Sequence, residues 1–187
     1  RGAPLIGIAA AYVIALAFKE FIFKSDEYFD KVFKRLTSTR PTAVNLFYST
    51  NRMKEKYFSL KEDADIYFEL LNEAKEIEQK EIASSVKISN LGLNIFQKKS
   101  TVLTHCNTGS LAAASYGTAL GIIKNAFDHN LIEKVFVDET RPLLQGLRLT
   151  AFELDKLKIP FTVLTDSMSS SLMQKNQVDL VIVGADR

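Results

Sequence analysis

Two rhythms of apolar and polar positions divide the chain near residue 97. Before that point the spacing is helical. Residues 4–18, "PLIGIAAAYVIALAF", are apolar almost throughout and stop at Lys19-Glu20. A run apolar on every side predicts a buried core helix. It is shorter than the roughly 20 residues that cross a bilayer. Apolar residues resume after the charged pair with no small-residue cleavage site, which argues against a signal peptide. "SDEYFDKVFKRL" predicts a second helix with Ser25 as its N-cap and aromatics at 28, 29 and 33. A third helix is expected from Pro41, with Thr39 as its cap. A long one runs from Glu62 to about Phe96, carrying Phe68, Leu71, Ala74 and Ile77 on one face. Ser84-Ser85 and Gly92 are its candidate break points.

From Ser100 strands and helices alternate. "TVLTHC", "KVFVDE", "PFTVLT" and "VDLVIVGAD" predict strands; residues 110–127, 146–157 and 167–174 predict the helices between them. Three successive βαβ units imply a parallel sheet with right-handed crossovers. The fold class is therefore α/β: a mostly helical region over residues 1–97, then a Rossmann-like doubly wound sheet over 98–187. The chain ends two residues after "VDLVIVGA", before a return helix can cover that strand. A parallel sheet needs both faces covered, so a fragment cut after its fourth strand is expected.

Charge narrows the functional classes. Across 187 residues the net charge is +2 with 24 basic and 22 acidic side chains, which offers no basic stripe for nucleic acid. One cysteine excludes an internal disulfide, and two histidines argue against a zinc cluster. A reducing, cytoplasmic setting follows, with neither membrane nor nucleic acid as partner.

The chemistry should lie beyond the carboxyl ends of the strands, where strand order reverses. Cys106 ends the first strand of this half and Asp186 the fourth; in a Rossmann-type order these strands are neighbours, and in a flavodoxin-type order another strand separates them. Cys106 precedes the turn "NTG" and a helix expected from Ser110, whose N-terminus would stabilise a thiolate. Equally, a free cysteine can be a buried, inert hydrophobe. His105 next to it invites a Cys–His pair, but neighbours on a strand face opposite ways. Asp186 follows a run of apolar or Gly positions, where a carboxylate needs a partner or a task. It is either a general acid or an ion pair with Arg187. Asp138, Glu139, Thr140, Arg141 and Gln145 follow the second strand and can line the same rim or serve as caps. Arg1 with Gly2-Ala3, and Arg40 before Pro41, place cations at two helix starts, the pattern of a small phosphorylated ligand or of surface arginines.

The stretches "RGAPLIG", "RPTAVNLF", "LTHCNTGSLA", "YGTALGII", "VFVDETRPLLQGLRLTAFEL", "LTDSM" and "VIVGADR" together resemble the 5-methylthioribose-1-phosphate isomerase family. That family shares its fold with regulatory subunits of the translation initiation guanine-nucleotide exchange factor. The resemblance implies an aldose–ketose isomerisation of methylthioribose 1-phosphate in methionine salvage. It implies Asp186 as proton donor and Cys106 as catalytic thiol, with Arg1, Gly2, Ala3, Arg40 and Gln145 binding substrate. It also implies no metal, no cofactor and a homodimer. Family segments before "RGAP" and after "GADR" are missing here, so the 187 residues alone are expected to be poorly stable and inactive. A related sugar phosphate (5-deoxyribose 1-phosphate or ribose 1,5-bisphosphate) and a non-catalytic regulatory subunit are the alternatives. A binding-only protein has no need of both Cys106 and Asp186, which favours the enzyme.

Overall fold

In the computed structural model, which describes residues 2–20, 25–62 and 64–185, the first rhythm folds as helices. The opening apolar run becomes α1 (Ala3–Ala17), burying Ile8, Ala11 and Ile14. Ser25 caps α2 (Asp26–Thr37), its hydroxyl accepting the Tyr28 amide proton at 3.3 Å. Helix α3 starts at Val44 and runs to Ser59, later than Pro41. The reason is local. The Thr39 hydroxyl donates back to the Leu36 carbonyl at 2.6 Å, closing α2, and Ala43 takes a left-handed φ of 78° that a helix cannot include. Helix α4 (Ile66–Leu91) is capped by Asp65, whose carboxylate accepts the Phe68 amide at 3.0 Å. Ser84-Ser85 do not break it; a 3₁₀ turn, Gly92–Ile95, follows its end. Its buried positions include Ile66, Leu70, Ala74 and Ile77, and Phe68 is 55% exposed, off the expected face. Among the described residues no helix is long and apolar enough to cross a membrane.

Two compact units divide inside α4, the first comprising Ala3–Glu81 and the second Ile82–Ala185 with Gly2. The first is built on an aromatic core. Phe18, Phe29 and Tyr57 are at most 1% exposed, and the Phe29 and Tyr57 rings stack at 4.4 Å. Full burial of each such ring is worth about 2–3 kcal/mol. Gly7 lets α1 approach α3: a Cβ there would stand 2.7 Å from the Asn45 carbonyl. Tyr12 on α1 donates to Glu78 at 2.5 Å. Burial first, then Glu78, pushes its phenol from 10.0 up to about 12. Ionisation is thus disfavoured in the folded state, so this contribution to stability is full below pH 10.0 and lost as pH rises through about 12. Urea unfolding across that window should show Tyr12→Phe losing stability less steeply than wild type; equal slopes would refute the coupling.

The second unit carries the parallel sheet. In chain order it contains β1 (Ser100–Thr104), α5 (Ala119–Asp128), β2 (Ile132–Asp138), α6 (Ala151–Lys156), β3 (Phe161–Leu164), α7 (Met168–Gln174) and β4 (Leu180–Val181). A π-helical turn, Gly146–Thr150, leads into α6. The sheet order is β3-β2-β1-β4, all parallel. Strands step outward from β1 to β3, then β4 returns to the other side of β1, so the order reverses between β1 and β4 as the Rossmann-type reading expects. Asp179 fixes that return: its amide donates to the Thr101 carbonyl at 2.9 Å and its carboxylate accepts the Thr101 amide at 2.8 Å. The apolar residues between sheet and helices include Val102, Val135 and Val137 on strands and Leu120, Ile123 and Leu154 on helices.

Two elements are shorter than their patterns suggest. Of the strand expected over 178–186, the described residues are regular only at Leu180–Val181, and Asp186 lies outside them. The helix expected from Ser110 begins at Ala119, because Ser115 and Gly117 both have left-handed φ, 59° and 82°. A Cβ at Gly117 would overlap the Thr108 carbonyl. Thr108 also caps α5 from a distance, its hydroxyl accepting the Leu120 amide at 3.1 Å.

Candidate active site at the carboxyl ends of the strands

Beyond Thr104 the chain leaves the sheet as His105-Cys106-Asn107-Thr108-Gly109. Cys106 has φ 63°, a left-handed conformation that costs a non-glycine residue about 1–2 kcal/mol. Such a residue persists only where its surroundings dictate it. Here they do. The Cys106 amide donates to the Thr140 hydroxyl at 2.8 Å, and the Thr150 hydroxyl donates to the Cys106 carbonyl. Two threonines from separate segments thus grip the cysteine backbone from both sides. The thiol is half-buried. It does not sit at a helix N-terminus, since α5 starts thirteen residues later, so the expected dipole assistance is absent.

Glu153 on α6 pins the rest of the loop. It is 7% exposed and accepts from Asn107 Nδ2 at 2.8 Å, the Ser110 amide at 2.7 Å and the Ser110 hydroxyl at 2.7 Å. A Cβ at Gly109 would overlap this carboxylate, so a side chain there would have to displace Glu153. Bonds to a charged acceptor are each stronger than neutral ones. Glu153→Gln keeps the shape but turns one acceptor oxygen into a donor facing Ser110 or Asn107. It should cost about 1–3 kcal/mol in denaturant unfolding; a change below ~0.5 kcal/mol would show that the bonds hold nothing.

The loop after β2 forms the facing wall. Thr140 (φ 63°) and Leu144 (φ 58°) are both left-handed. Asp166, between β3 and α7, accepts the amides of Thr140 and Arg141, each at 2.8 Å. The Arg141 amide, opposed by burial and aided by the Thr140 amide and nearby positive charge, holds its carboxyl below the ordinary value. Gly146 allows the wall to close, since a Cβ there would overlap the Asp138 carbonyl oxygen. Asp138, 7% exposed at the end of β2, shares a hydrogen bond with His105 Nδ1 at 2.9 Å and accepts from the Ser169 hydroxyl. His105 therefore bonds Asp138 rather than Cys106.

Of the residues singled out in the sequence, Cys106 and Gln145 lie in the loops that follow β1 and β2 in the second unit. The Gln145 Oε1 and Asn107 Oδ1 atoms are buried without a hydrogen-bond partner among the described residues. Gly2 groups with the same unit, and a Cβ on it would overlap Ala112. Ala3 opens α1, and Arg40 reaches Thr42 Oγ1 at 3.4 Å; both belong to the first unit. Arg1, Asp186 and Arg187 lie outside the described residues. Gly184 is the nearest described glycine to Asp186, and a Cβ on it would come within 2.6 Å of Thr108. Thr150 and Glu153 were not foreseen. Their signal was polar residues at i and i+3 beside Leu149, Ala151 and Leu154, a face otherwise apolar. Among the described residues one group has donor atoms close enough for a metal, His105, Asp138 and Asp166 within 4.8 Å of one another. Each carboxylate in it already holds two protein hydrogen bonds.

The profile of the initiation factor 2 subunit family matches the chain over residues 1–187. The chain belongs to that family. Relatives include the methylthioribose-1-phosphate isomerase of Carboxydothermus hydrogenoformans, 47% identical, and that of a Sulfurihydrogenibium species, 49% identical. Both alignments take in all of this chain, but 56% and 53% of those proteins. The chain thus spans about half the length of the curated relatives it matches. Among solved structures, the 5-methylthioribose 1-phosphate isomerase of Pyrococcus horikoshii superposes with a TM-score of 0.90 at 35% identity, over all of this chain and 54% of that one. The delta subunit of translation initiation factor eIF-2B from A. fulgidus gives 0.85 at 41%, over all of this chain and 56% of that one. Members of the initiation factor 2 subunit family thus carry two kinds of name on one fold, and the rim residues have to separate them.

Proposed function

We propose that this initiation factor 2 subunit family member supplies the catalytic half of a methylthioribose-1-phosphate isomerase. The observation that carries the reading is Cys106, held in a strained conformation by Thr140 and Thr150 beside the point where the strand order reverses. Strain of this kind clusters at functional sites. Asp186 is the second catalytic group; its neighbour Gly184 packs on Thr108, two residues from Cys106. The phosphate on C1 locks the sugar ring as an acetal, so the ring C1–O4 bond must break before hydrogen moves from C2 to C1. Asp186 donates a proton to O4, and Cys106 serves the C2–C1 transfer. Arg1, Gly2, Ala3 and Arg40 bind the phosphate and sugar, and the buried Gln145 Oε1 takes a sugar hydroxyl as its donor. The reaction needs no metal or nucleotide cofactor. A cytoplasmic homodimer completes the proposal.

The likeness to the eIF-2B delta structure from A. fulgidus favours a second reading, a non-catalytic regulatory subunit, which would bind a partner or a sugar phosphate without converting it. The deciding experiment incubates the full-length gene product with methylthioribose 1-phosphate and follows the ketose product. Turnover supports the isomerase. Binding without turnover supports the regulatory subunit, and turnover of 5-deoxyribose 1-phosphate or ribose 1,5-bisphosphate instead reassigns the substrate.

A further inference from the structure

Asp138 is a buried carboxylate with no lysine or arginine on it among the described residues. Its two oxygens instead hold the Ser169 hydroxyl from α7 and Nδ1 of His105 from the loop after β1. With the carboxylate accepting both bonds, Nδ1 is the donor and carries the ring's hydrogen. The other nitrogen, Nε2, is then left with its lone pair free. It belongs to a side chain that is 47% exposed beside the carboxyl end of β1, one residue from Cys106. Ser169 fixes the carboxylate, the carboxylate fixes the tautomer, and the tautomer leaves a base at the rim.

We infer that His105 is a proton acceptor in the isomerisation, with Asp138 as its positioning residue. The inference rests on the isomerase reading, and the overall proton balance of that reaction leaves a place for it. As the C2 hydrogen moves to C1 with its electron pair, C2 becomes a carbonyl and its hydroxyl loses a proton. In the same conversion the C1–O4 bond breaks and O4 gains a proton. Asp186 supplies the second proton; His105 Nε2 takes the first, the O2–H bond breaking as the Nε2–H bond forms. The resulting imidazolium and aspartate carboxylate return to their starting states by passing that proton on, so nothing is consumed. The charged groups around the ring suit this step. Asp138 touches Nδ1, and the Asp166 carboxylate lies in the same 4.8 Å cluster. Arg141 is turned to Glu139, its Nε donating at 2.7 Å. A cation formed on the ring thus meets two carboxylates.

The test uses the full-length protein. His105→Ala should lower kcat at least a hundredfold with KM changed less than about threefold, and added imidazole should restore part of the rate. Asp138→Asn should lower kcat too and, in ¹⁵N spectra of the imidazole, shift the hydrogen from Nδ1 to Nε2. The acid limb of the wild-type kcat profile should vanish in His105→Ala. A merely structural His105–Asp138 tie would give neither imidazole rescue nor a lost limb. Overturning results are turnover that survives His105→Ala within threefold, or a wild-type ring carrying its hydrogen on Nε2. No turnover by wild type would instead remove the isomerase reading, and this role with it.

Discussion

Cys106→Ser in the full-length protein is expected to lower kcat at least a thousandfold while the sugar phosphate still binds. That ratio is about 4 kcal/mol of barrier. Serine keeps the shape of the residue and every backbone bond that holds it, so the Thr140 and Thr150 contacts should persist. What changes is the atom presented to the sugar: the large, polarisable sulfur becomes a smaller, less polarisable oxygen. Isothermal titration with the substrate and steady-state kinetics separate the two effects. A variant that binds but does not turn over supports the thiol as a reacting group. A variant within tenfold of wild type in kcat would make Cys106 a structural residue and would remove the assignment.

Gly146→Ala is expected to be the most damaging single methyl group in the second unit. The added Cβ would fall on the carbonyl oxygen of Asp138. That carbonyl cannot give way freely, because it also accepts the Thr140 hydroxyl at 3.1 Å and ends the strand that holds His105 through its own side chain. Nor can the turn retreat, since the Leu147 amide is bonded to the Glu139 carbonyl at 3.4 Å. Overpacking against backbone costs about 3 kcal/mol or more. Denaturant unfolding of the variant should show a loss of that order, and His105 chemical shifts should move with it. A loss below ~1 kcal/mol would mean that the loop after β2 shifts easily, and that the wall it forms is soft.

The alternation of strands and helices after residue 98 was legible because parallel strands buried on both faces leave continuous apolar runs, and each run here marks a strand. Whether β1 and β4 are neighbours was left open between two strand orders, and the sheet has the Rossmann-type one. What the pattern could not show was where backbone conformation stops an element. Ser115 looks helical among "LAAAS", yet its left-handed φ and that of Gly117 postpone α5 to Ala119. The same holds at Ala43, an ordinary residue whose φ of 78° delays α3. Phe68 fitted a stripe of apolar positions, but the face buried is the one through Ile66 and Leu70. In the candidate site, Cys106 and Gln145 were visible as residues that a strand end or its loop delivers. Glu153 and the Asp138–His105 pair were not, because hydrogen bonds between residues 33 to 46 apart leave no local period.

Thr108 joins three parts of the second unit. Its hydroxyl caps α5, its carbonyl accepts the Thr118 amide at 2.8 Å, and its methyl group is what Gly184 rests on. The last of these contacts depends on the segment after β4, which a ribosome delivers some 75 residues after the cysteine itself. While a chain is being made, therefore, the thiol loop exists before the piece of backbone that closes against it. Pairing of β4 with β1 brings Gly184 against Thr108 last, after the threonines that grip the Cys106 backbone are already part of the chain.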